Sequence, residues 1–77
     1  MNDLQQKALE IVTGAVKSEN VDAVKALLTE SFAKQDSGSF TLEDAHGFAS
    51  KLLPYIKAEK LPEVMSFMQE FQKKIFG

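Results

Sequence analysis

Apolar residues recur at helical spacing in four stretches of this chain. In the first, about residues 3–17, Leu4, Ala8, Ile11, Val12, Ala15 and Val16 share one face. Asp3 precedes Lys7 by four positions, the favourable order for a helical ion pair. Gly14 lies off the stripe and costs about 1 kcal/mol relative to alanine in a helix interior; it either admits a close neighbour or is simply tolerated. Ser18-Glu19-Asn20 interrupts the period. Asn20 reads as an N-cap, with Asp22 in the first turn where the helix dipole favours an acid. The second helix, about 21–34, carries Val21, Val24, Leu27, Leu28 and Phe32.

Gln35-Asp36-Ser37-Gly38-Ser39 has no periodicity and reads as a loop. Thr41 is then a natural cap, with Asp44 at the third helical position and Phe40 before the cap placed to touch Ala45. The third helix, about 41–57, carries Leu42, Ala45, Phe48, Ala49, Leu52, Leu53 and Ile56 on one side. Pro54 removes a hydrogen bond and clashes one turn back, so this helix is expected to kink or break there. Pro62 suits the first position of the fourth helix, about 62–76, where its missing N–H is harmless. Glu70 and Lys74 form another four-apart pair, and Lys73 and Lys74 sit at the favourable C-terminal end. The expectation is an all-α fold: four short amphipathic helices forming two packed helical hairpins, a small four-helix bundle, in one domain spanning 1–77.

The two halves resemble each other at an offset of 40 residues. Val16-Lys17-Ser18-Glu19-Asn20-Val21 matches Ile56-Lys57-Ala58-Glu59-Lys60-Leu61, and Val24, Leu27, Leu28 and Glu30 match Val64, Phe67, Met68 and Glu70. The match places both hairpin turns at a Lys-x-Glu element. Two amphipathic helices after similar turns also match by periodicity alone, so duplication and coincidence weigh about evenly.

Composition narrows the possible chemistry. A chain of 77 residues buries only about 60–65% of its unfolded surface, so its stability margin is thin. The absence of cysteine removes disulfides and thiolate zinc sites, and a single histidine leaves little for a transition metal. Self-association remains as a means of support. The net charge is −2, and all nine basic residues are lysines scattered along the chain. A phosphate-binding face and the planar fork that reads guanine are both missing, which argues against nucleic acid. No apolar run reaches the roughly 18 residues of a membrane span, and the opening residues are polar. A cytoplasmic protein is expected.

Candidate chemistry is sparse. His46 shares a helical strip with Glu43 and Ser50, but one strip supplies neither a pocket nor oxyanion donors. The segment 33–44 can be laid on a calcium-binding loop with Gly38, Phe40 and Asp44 in register. Ala33, Gln35 and Ser37 then stand where carboxylates are needed. Gly47, between Ala45 and Ala49, either admits another helix or faces solvent. The fourth helix is the unusual segment, since its phenylalanines and methionines cover about half its circumference. Phe67, Met68 and Phe71 are expected in the core. Met65 and Phe76 at the stripe's edges are harder to bury, and together with Tyr55 they are the candidate interaction surface. The pattern points to a non-enzymatic protein–protein interaction module, self-associating as a dimer or acting as an adaptor, with no cofactor and no metal. A small immunity-type or regulatory protein that binds a toxin, peptide or receptor is the alternative, and a DNA-binding regulator ranks below it.

Overall fold

Asn2 opens the first helix with a reciprocal cap. Its side chain accepts from the Gln5 backbone N–H at 2.7 Å, and the Gln5 side-chain oxygen accepts from the Asn2 N–H at 3.1 Å. The computed structural model describes all 77 residues, Met1–Gly77. Four helices follow in order: α1 (Asp3–Thr13), α2 (Val21–Asp36), α3 (Leu42–Leu52) and α4 (Leu61–Phe76). Short 3-10 turns occupy Ser18–Asn20, Leu53–Tyr55 and Ala58–Lys60.

Several boundaries differ from the sequence expectation. α1 stops at Thr13, four residues early, because Gly14 caps it and the chain beyond is needed elsewhere. Val16 leaves the helix to form an antiparallel β-bridge with Ile56, and the Lys57 N–H donates to the Ala15 carbonyl at 2.9 Å. Ala15 and Val16 are buried as their apolar character requires, but in extended chain rather than helix. Asn20 is not a side-chain cap. Its backbone is already helical and closes the 3-10 turn, so its side chain does not turn back onto the first turn of α2. α2 runs to Asp36, absorbing two residues read as loop. α3 ends at Leu52, and Pro54 breaks it into a 3-10 turn instead of letting it continue to residue 57. α4 begins at Leu61, which places Pro62 at its second position. The Thr41 cap is formed: the hydroxyl accepts from the Asp44 N–H, and the Asp44 carboxylate accepts from the Thr41 N–H, both at 3.1 Å.

α1 packs closely on α2 and on α4, and α2 packs also on α3. α3 and α4, although consecutive, do not approach each other closely. The helices therefore run around the bundle as α3, α2, α1, α4, with an opening between the first and last. Val12, Val24, Leu52 and Val64 are almost wholly buried and form the centre of the core with Leu28 and Phe67. Each such side chain contributes about 1.5–3 kcal/mol by leaving water.

The 40-residue offset is visible in three dimensions. The turns Ser18–Asn20 and Ala58–Lys60, and the helices α2 and α4, begin and end at equivalent positions. Val24 and Val64 are both fully buried. The β-bridge joins Val16 to its own equivalent, Ile56, so an approximate two-fold axis passes through that contact.

Candidate functional site

The first hairpin is held shut at its open end by a polar clamp. Gln5 is 1% exposed, and its side-chain amide reaches from α1 to the end of α2. Nε2 donates to Gln35 Oε1 at 3.1 Å and to Asp36 Oδ1 at 3.2 Å, and Gln35 donates in turn to the Ser31 hydroxyl at 3.2 Å. No buried polar side-chain atom is left without a partner, as the cost of burying an unpaired amide demands.

The equivalent positions of the second hairpin carry the opposite chemistry. Forty residues on, Ala45 stands for Gln5, Phe71 for Ser31, Ile75 for Gln35 and Phe76 for Asp36. There is no amide to bridge the two helices and no oxygen to receive it. In place of the clamp lies an apolar cleft between α3 and α4, with a hollow of about 50 Å³. Ala45 and Phe48 form one wall, Met68, Phe71, Ile75 and Phe76 the other, and Ala8, Val12, Leu28 and Phe32 the floor. Phe40 and Phe76 stack across one end, with ring centroids 5.8 Å apart and planes 13° apart. A shallower depression continues outward over Leu42, Gln69, Gln72, Lys73 and Phe76.

Met65, Gln69, Gln72 and Phe76 follow one another at helical spacing on one flank of α4, and the last three border the cleft or the depression outside it. Met65 is 47% exposed and Phe76 38%, and Leu42, which borders the same depression as Phe76, is 53% exposed. The structure thus brings two of the three expected surface residues onto one flank. Tyr55 is elsewhere. It is partly buried against the core and borders a hollow with Ala23 and Leu27 of α2. Periodicity placed Leu42 and Ala45 on the apolar side of the third helix, but it assigns faces and not gaps between helices, and it gave no sign of the Phe40–Phe76 stack. The exchange of polar for apolar residues across the offset was the available signal.

The remaining candidates do not converge. Glu43, His46 and Ser50 are all exposed, and Glu43 and Ser50 border different hollows. Gly47 is exposed, and nothing lies within 4 Å of where its Cβ would stand. The would-be calcium segment is partly helical, and Asp44 is engaged by Lys34 Nζ at 3.2 Å as well as by Thr41. Those contacts hold its carboxyl below the ordinary aspartate range, the Thr41 N–H contributing most and Lys34 next. No group of three or more His, Asp or Glu side chains is arranged to hold a metal ion. No helix is long and apolar enough to cross a membrane. Comparison with protein-family models, with curated proteins and with solved structures finds no match to this chain.

Proposed function

We propose that this chain is a non-enzymatic helical interaction module that engages a protein surface through the cleft between α3 and α4. One observation carries the reading. The positions that lock the first hairpin with hydrogen bonds are occupied in the second by apolar residues that leave it open. An open apolar groove flanked by amphipathic helices is the geometry that receives the apolar face of another helix. Depletion of charge along the groove agrees with the composition of interface centres. Site-specific photocrosslinking in cells tests it. A photoreactive residue at Gln69, on the cleft flank, is expected to give covalent protein adducts, and one at Lys25, exposed on α2 outside the cleft, is not. Met65→Lys, which places a charge on the same flank, is expected to abolish the Gln69 adducts. Absence of adducts from Gln69, or equal adducts from Lys25, removes the proposal.

A further inference from the structure

The equivalent helices α2 and α4 begin alike and end differently. Val24 and Val64 are fully buried in the first half of each. In the second half of α2, Leu28, Ser31 and Phe32 are buried as well. Their equivalents in α4 are Met68, Phe71 and Gln72, and all three are only half-buried. No residue of α4 beyond Phe67 is buried. Polar contacts divide the same way. The end of α2 is tied to α1 by the Gln5 amide and to α3 by the Lys34–Asp44 ion pair. α4 makes no such bond to another helix, and its one ion pair, Lys60–Glu63, lies at its own first turn. Past Phe67 it is held by apolar contact alone, through Met68, Phe71 and Ile75 along the cleft and the Phe40–Phe76 stack at its end.

We infer that the second half of α4, residues 68–76, is a strap that unfolds from the cleft as one unit, hinged after Phe67, while the rest of the bundle stays folded. Segments open in this way when few buried apolar contacts hold them and their backbone bonds face solvent. Val64 and Phe67 fix the hinge, because both are pinned in the core. The stack makes the segment a unit. Phe76 is the last residue of the helix, so the tip cannot loosen without parting from Phe40. A helix pinned at one end and fastened at the other gives way together, since each turn supports the next. Release uncovers Leu28 and Phe32 on the floor of the cleft and Phe48 on its opposite wall. The depth of the cleft is then set by a local equilibrium within the second hairpin, with no counterpart in the first. This holds for the chain by itself, whether or not the cleft binds a protein.

Native-state hydrogen exchange of the full chain, followed by NMR at several low urea concentrations, tests the strap. The backbone amides of residues 72–76 are expected to share one protection factor, at least about a hundredfold smaller than those of Leu28 and Phe32. That shared value should fall with urea, because release exposes apolar surface, but less steeply than the values of Leu28 and Phe32. Phe40→Ala removes the stack and should lower the strap's protection about two- to tenfold. Gln5→Ala weakens the first hairpin and should lower protection at Leu28 and Phe32 about fivefold or more. The strap should then stay within about twofold of the parent, since its release leaves the first hairpin intact. Protection that declines residue by residue toward Gly77 without urea dependence is plain fraying and overturns the inference. Equal protection of the two sets, indifference of the strap to Phe40→Ala, or a strap value that falls in step with Leu28 and Phe32 in Gln5→Ala overturns it too.

Discussion

Gln5 and Ala45 occupy equivalent places in the two hairpins, one on the axis-related copy of the other's helix, and only Gln5 can reach across to the partner helix. Its amide is completely paired and completely buried. Gln5→Ala removes both interhelical bonds and half of the reciprocal cap, and is expected to cost about 1–3 kcal/mol. The same variant opens the first hairpin, so it should also increase the binding of a hydrophobic dye. Urea unfolding followed by circular dichroism measures the first effect. An unchanged midpoint would show that the clamp contributes nothing to closure.

Two glycines should respond in opposite directions. Gly38 holds φ at 75°, in the left-handed region, after the end of α2. Gly38→Ala is therefore expected to destabilise by about 1 kcal/mol. Gly47 sits inside α3 with open space around its missing Cβ. Gly47→Ala should stabilise by up to about 1 kcal/mol. Thermal melts of the two variants beside the parent decide it, and shifts of the same sign would refute the pairing.

Asp44 gives the fold a dependence on acid. The ionised carboxylate accepts from the Thr41 N–H and from the Lys34 ammonium, so its pKa in the folded chain lies below the ordinary 3.8. Linkage then requires that its contribution be fully present above that value and fade as the pH falls through the lower folded value. Asp44→Asn should be less stable than the parent at about pH 7, and the difference should shrink by about pH 2.5. Urea midpoints at the two pH values are the readout. A difference that persists undiminished in acid would place the effect in the side chain's shape rather than its charge.

The Phe40–Phe76 stack joins the start of α3 to the end of α4 across a gap that is otherwise open. A double-mutant cycle with Phe40→Ala and Phe76→Ala is expected to return a coupling energy of about 0.5–1.5 kcal/mol. Additive single effects would show that the rings lie together without holding the end closed.

Much of the fold was legible because it is local. The stripes of Val24, Leu28 and Phe32, and of Val64 and Phe67, name buried faces correctly, and the Thr41–Asp44 cap is written in four consecutive residues. What failed was tertiary in origin. Val16 continues the helical period of α1, yet the partner turn draws it into a bridge. Asn20 has a cap's chemistry, but a preceding 3-10 turn leaves it nothing to cap. The i,i+4 pairs Asp3–Lys7 and Glu70–Lys74 do not close, in keeping with the small gain available to exposed ion pairs. Met65 and Phe76 were readable as edge residues because the apolar arc of α4 is too wide for one neighbour. That Phe76 borders the cleft between α3 and α4, and that Tyr55 lies instead toward α2, depends on which helices pack, and no single stretch of sequence contains that information.

The bridge between Val16 and Ile56 has one more consequence. A contact between equivalent positions is the kind that two identical units make about a two-fold axis. Two separate molecules of one hairpin could meet this way, but both would then have to present the same mouth, latched or open. Joining them through residues 37–41 removes that constraint. The covalent link permits asymmetry inside a symmetric frame: one half can specialise in holding the molecule together while the other is released to face outward.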